Sequence, residues 1–77
     1  MKCFPVVLNR TEDMINFVRL VSKYDEDVDL KSGSILIDAK SIIGAINLVG
    51  AVPLEMRIHS DDCENLVSSV AAYIKMR

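Results

Sequence analysis

Residues 39–48 read Ala-Lys-Ser-Ile-Ile-Gly-Ala-Ile-Asn-Leu, and the segments on either side of them set the architecture. Ser41 stands where a helix N-cap belongs, its hydroxyl placed to accept a backbone N–H of the first turn, and Ile42 to about Leu48 forms a short helix. On so short a helix Ile42, Ile43, Ile46 and Leu48 cannot all be buried. An apolar side chain is therefore expected to face solvent there, the mark of a docking surface. Upstream, Val28 and Leu30 alternate with Asp27, Asp29 and Lys31, Ser32-Gly33-Ser34 supplies a turn, and Ile35 to Asp38 returns. This predicts a hairpin over residues 27–38. Downstream, Gly50 and Pro53 enclose a loop. Leu54, Met56 and Ile58 then point inward on a strand whose outer side carries Glu55, Arg57 and His59.

Further out, Phe4, Val6 and Leu8 share one face of an opening strand that Asn9 and Arg10 end. Thr11 reads as the N-cap of the next helix, with Glu12 and Asp13 in the first turn, where the helix dipole favours acids. Met14, Phe17, Val18 and Val21 follow at i, i+3, i+4, i+7, the spacing of a buried stripe. Asp61 and Glu64 have capping-box spacing, and Leu66, Val67, Val70, Ala71 and Ile74 predict a closing amphipathic helix. The order is β-α-β-β-α-β-α. With one polar face per strand, the expected fold is a two-layer α+β open-faced sandwich, an antiparallel sheet with its helices on one face, as a single domain over residues 1–77.

A chain of 77 residues buries only about 60% of the surface its unfolded form exposes, which leaves room for one thin core and no enclosed deep active site. Nine basic against eleven acidic residues, with a net charge of −2 and no cationic run, exclude a nucleic-acid grip built on phosphate neutralisation. Asn47 and Pro53 break the longest apolar candidate well short of the roughly 18 residues of a membrane span. Phe4 to Leu8 is too short for a secretory signal. A cytoplasmic protein with no membrane partner is the expectation.

Catalytic and metal chemistry find little support. Cys3 and Cys63 lie far apart in sequence, with no Cys-x-x-Cys, and read as unligated thiols packing as small hydrophobes. A disulfide between them is the minor reading. His59 is the only histidine. It falls on the polar side of a strand with no nucleophile placed beside it by local spacing, so it reads as a solvated surface residue. The run Asp25-Glu26-Asp27 with Asp29 lacks the turn glycine and distal bidentate glutamate of a calcium loop. No metal, no cofactor and no catalytic residue is expected.

The 39–48 segment resembles the Ala-Lys-Ser-Ile-Met-Gly helix of HPr, the histidine-containing phosphocarrier family of the sugar phosphotransferase system. The likeness covers nearly the whole chain: Phe17-Val18 falls where that family has Phe-Val in its first helix, Leu54 to Ile58 fits its fourth strand, and the order of elements is the same. It implies an HPr-like fold, with four strands and three helices. That family carries its phosphoryl group on a histidine within Gly-Leu-His-Thr-Arg-Pro at the mouth of the first helix. Counted back without gaps from Phe17, Arg10 stands at the histidine position, Thr11 matches the threonine, and Glu12 and Asp13 replace the arginine and proline. A guanidinium has no nucleophilic lone pair at cellular pH, and the two carboxylates put negative charge where a phosphate would need the helix start free. The pattern is nearest to the histidine-lacking catabolite-repression (Crh-type) variants of the family.

In the family a serine at the cap of the second helix is phosphorylated by a dedicated kinase, and Ser41 falls on that position. A phosphate there would meet free N–H groups and a favourable dipole, with Lys40 close by in sequence, whereas capping alone is a role serine fills everywhere. Ile42, Ile43 and Ile46 correspond to the apolar face through which HPr docks its partners. The expected function is a non-enzymatic regulatory or protein-binding module. Its candidate contacts are Arg10, Thr11, Lys40, Ile42, Ile43 and Ile46, and its expected partner is a kinase acting on Ser41 or a transcriptional regulator. Monomer or weak homodimer is the expected state. The alternatives are a structural or dimerisation module outside the phosphotransferase system and, least favoured, a hydrolase or transferase using Cys3, Cys63 or His59.

Overall fold

The computed structural model of the chain describes residues 1–75. Its elements are β1 (Lys2–Pro5), α1 (Thr11–Val21), β2 (Val28–Ser32), β3 (Ile35–Asp38), α2 (Ile42–Ala45) extended by a 3-10 turn (Ile46–Leu48), β4 (Glu55–Ile58) and α3 (Glu64–Ser69), followed by a second 3-10 turn (Ala71–Tyr73). The four strands form one antiparallel sheet in the order β1-β4-β2-β3. The expected two-layer α+β architecture is therefore the one observed.

Alternation along the strands decides which side of the sheet is dry. Val28, Leu30, Met56 and Ile58 are buried, and so are Val6 and Leu8, which continue the inward face of β1 past its last paired residue. Met14, Phe17, Val18 and Val21 of α1 close over them as the helical periodicity requires. The Phe17 ring meets Tyr73 edge-on, with centroids 6.1 Å apart and an interplanar angle of 86°, a favourable aromatic geometry. Gly33 (φ 60°) turns the β2–β3 hairpin, and Gly50 (φ 77°) turns the chain after α2. Both lie in the left-handed region that an L side chain enters at a cost. The Gly50 N–H donates to the Leu8 carbonyl (2.8 Å), which fixes the exit of the α2 segment against the approach to α1.

Four local expectations need correction. Thr11 is not the cap of α1 but its first residue: Arg10 holds the extended cap conformation and makes no side-chain capping bond, and its carbonyl accepts from the Met14 N–H (3.1 Å). Asp61 and Glu64 do not form a capping box. Cys63 is the cap of α3, without a side-chain capping bond, and Asp61 Oδ1 instead accepts from the N-terminal ammonium at 3.2 Å. The closing helix does not run to Ile74. The Ser69 hydroxyl donates to the Leu66 carbonyl (2.8 Å), and the Val70 N–H is shared between the carbonyls of Leu66 and Val67. That sharing tightens the last turn toward 3-10 geometry, and Ile74 then forms an antiparallel bridge with Val6. Finally, both cysteines are free. Cys63 is buried as expected, but Cys3 is exposed, because the alternation that turns Phe4 and Val6 inward turns Cys3 outward.

Candidate functional site

The start of α1 is a self-contained set of charges. Arg10 Nε and Nη2 donate to Asp13 Oδ2 and Oδ1 at 3.4 and 3.3 Å, and Nη2 lies 3.8 Å from Glu12 Oε1. The hydrogen bond to Asp13, followed by the negative charges of Asp13 and Glu12, raises the Arg10 pKa above its ordinary value. A raised folded-state pKa favours the folded chain below the ordinary guanidinium value and loses that effect only as pH climbs past the folded value. Arg10 is therefore a cation throughout the physiological range. Thr11 is exposed, and its backbone amide opens a helix whose first turn already carries two carboxylates.

The start of α2 is the opposite case, carrying no acid in its first turn and no base in its last. Ser41 takes the extended cap conformation, and its exposed Oγ accepts the Gly44 N–H at 3.4 Å. This is longer than an ordinary N–H···O bond, so the hydroxyl is loosely engaged. Ala45 is the one buried residue of α2, and its neighbours stand in water: Ile42 is 41% exposed, Ile43 80% and Ile46 38%. The helix lies against β3 at Gly44, where an added Cβ would meet the Cβ of Ile37 at 3.7 Å in ordinary van der Waals contact. The Asn47 side chain donates to the Ile43 carbonyl (3.3 Å), tying the 3-10 turn back onto α2.

Lys40 Nζ donates to the Tyr24 carbonyl at 2.5 Å, so its ammonium is engaged where the chain leaves α1. Lys40 is thus held toward the end of α1, whereas Arg10 and Thr11 sit at its start, about 16 Å away along an eleven-residue helix. The six candidates therefore fall into three groups, with Arg10 and Thr11 at the start of α1 as the first. Ile42, Ile43 and Ile46 form an apolar patch on the α2 segment, and its 3-10 turn packs against α1. Lys40 belongs to the scaffold under it.

His59 is remote from the start of α1. β4 begins beside Val6, where the Val6 N–H donates to the Leu54 carbonyl (2.9 Å), and ends with Ile58 opposite Lys2. His59 follows Ile58, at the far end of the sheet. There its N–H donates to the Asp27 carbonyl (2.9 Å), and its Nε2 lies 2.6 Å from Asp29 Oδ2 in a shallow depression shared with Asp38. Among the described residues no three His, Cys, Asp or Glu side chains cluster as a metal would require, and no helix is long and apolar enough to cross a membrane. Sequence reasoning missed an apolar cleft of about 140 Å³ between β1 and the 51–54 loop, walled by Val7, Val52 and Pro53 next to Asn9. The exposed Val52 was its only local signal.

No protein-family model matches the chain, and no curated protein is similar to it. Solved structures are. HPr-C-His from Thermoanaerobacter tengcongensis superposes with a TM-score of 0.75 at 19% identity, covering 94% of this chain and 89% of that one. The phosphocarrier protein HPr from Bacillus anthracis strain Ames gives a TM-score of 0.72 at 23% identity, covering 96% and 94%. The fold is that of HPr.

Proposed function

We propose that the chain is an HPr-family member that docks proteins and carries no phosphoryl group, acting in the cytoplasm as a regulatory module of the sugar phosphotransferase system. The observation that carries this reading is the contrast between the two helix starts: a patch of exposed isoleucines on α2 beside an α1 start where a guanidinium is closed onto two carboxylates. An apolar patch on a small domain marks a contact surface. A docked partner would bury Ile43 at the centre, with Ile42, Ile46, Arg10 and Thr11 around it. Arg10 offers no lone pair to a phosphorus atom, and its closure onto Asp13 leaves net negative charge at the helix start, which repels a phosphoryl donor. His59 does not replace it, being fixed at the other end of the sheet.

The finer version makes Ser41 a switch. Its hydroxyl is exposed and weakly bonded, and a phosphate there adds about −1.5 to −2 charge next to Ile42 and Ile43, changing which partner the patch accepts. Incubation with Enzyme I and phosphoenolpyruvate should leave the chain unlabelled; an acid-labile phosphoryl group on it ends the docking-only reading. HPr kinase with ATP should add one phosphate to the native chain and none to Ser41→Ala. An unchanged mass, under conditions that modify an authentic HPr, removes the switch while leaving the docking role standing.

A further inference from the structure

The two edges of the sheet are finished differently. In an antiparallel pair, residues alternate between those whose N–H and C=O face the neighbouring strand and those whose groups face away. The Ala39 N–H donates to the Val28 carbonyl (2.8 Å) and the His59 N–H to the Asp27 carbonyl (2.9 Å). With Leu30 opposite Ile37 and Lys31 opposite Leu36, this turns the backbone of Ile35 and Ile37 toward β2. Both polar groups of Leu36, and the N–H of Asp38, face the open side.

On β1 the outward set is Cys3, Pro5 and Val7. Pro5 has no N–H, its carbonyl accepts from the Lys75 N–H (2.8 Å), and the Val7 N–H donates to the Tyr73 carbonyl (2.8 Å). The segment after α3 thus covers that edge from Pro5 to Val7. β3 has no such cover among the described residues, and it also lacks the lysines, prolines and bulges with which edge strands are usually blunted. Its Ile35 and Leu36 side chains are 53% and 55% exposed.

The geometry points to β3 as the edge through which two copies of this chain pair, antiparallel about a two-fold axis at Leu36, joining their four-stranded sheets into one. The strand is complementary to itself in this register. Each Leu36 N–H meets the other's carbonyl, and the two Leu36 side chains pair on the outer face. Ile35 comes opposite Ile37 on the helix side, and Asp38 comes opposite Ser34, so that no like charges oppose one another. Of the other two-folds that match the backbone pattern, the one about Ile37 would set Leu36 against the Asp38 carboxylate, and the one about Ile35 would set Leu36 against Ser34 and shift the pairing into the Gly33 turn, so the axis at Leu36 is the one that pairs the body of the strand. A net charge of −2 adds little long-range repulsion. The pairing is made by the backbone and side chains of β3 itself and does not rest on the docking role of the α2 isoleucines.

Sedimentation of the native chain across a concentration series should show a reversible dimer. Leu36→Lys, which sets two ammonium groups side by side at the axis, should raise its dissociation constant by at least about tenfold with an unchanged circular dichroism spectrum. Ile43→Lys should leave it alone. In the native chain itself the Leu36 amide should gain protection from hydrogen exchange as concentration rises, a readout that needs no variant. A native chain that stays monomeric to millimolar concentration overturns the proposal. So does a dimer unaffected by Leu36→Lys, one dissolved by Ile43→Lys, or a Leu36 amide whose exchange ignores concentration.

Discussion

α1 and α2 lie on the same side of one sheet, yet they are held there by very different amounts of apolar surface. α1 has eleven residues and sinks Met14, Phe17, Val18 and Val21 completely or nearly so. α2 has four, and buries only Ala45. The polar economy is reversed as well. The start of α1 gathers three charges that satisfy one another, whereas the start of α2 has no charge in its first turn and shows isoleucine to water. A helix anchored by large side chains can carry a busy surface without moving. One anchored by a single alanine is kept in place by its cap, by the Gly50 contact and by the strand under it, and binding elements are drawn from such low-stability segments. The lesson is that exposure of Ile42, Ile43 and Ile46 is not a packing failure: α2 is too short to hide them, and nothing in the described chain covers them.

The contrast can be sharpened by removing anchors in turn. The largest effect belongs to α1: Phe17→Ala deletes a ring that is fully buried against Tyr73 and should cost about 3–5 kcal/mol, read as the shift in a urea unfolding midpoint. A smaller loss marks α2. Ser41→Ala should cost about 0.5–1 kcal/mol, at the low end for a cap because its bond is long, and should speed hydrogen exchange of the Gly44 amide while the α1 amides keep their protection. If α1 exchange rises in step, the two helices are not separable units and the contrast breaks. The smallest change falls on the patch itself. Ile43→Lys should leave thermal stability within about 0.5 kcal/mol of the native chain, since a solvated isoleucine gives up little; a large loss would mean that Ile43 is packed.

Much of the site was legible before any coordinates. Ser41 is a cap because serine before an apolar run has few better uses, and the exposed isoleucines follow from counting apolar residues against two helical turns. Cys3 was misjudged: it was expected to pack as a small hydrophobe, and strand alternation turns it outward instead. What misled were local chemical matches with more than one solution. Thr11 is a good cap residue, but Arg10 already occupies the extended cap position and Thr11 falls into the helix. Asp61 has the spacing of a capping box, but the N-terminal ammonium, sixty residues away in sequence, claims its carboxylate. Ile74 has helical spacing from Val70, but the edge of β1 offers it a backbone bridge. In each case a partner distant along the chain displaced a near one.

Periodicity and side-chain chemistry by themselves settled which residues turn inward, which elements form and in what order, because these depend on neighbours a few positions apart. The order of the strands, the sharing of the β1 edge with the segment after α3, the bareness of β3 and the separation of His59 from the start of α1 were decided only in three dimensions. Hydrogen bonding between strands joins residues that sequence keeps far apart, and no local pattern records which of two edges will be left open.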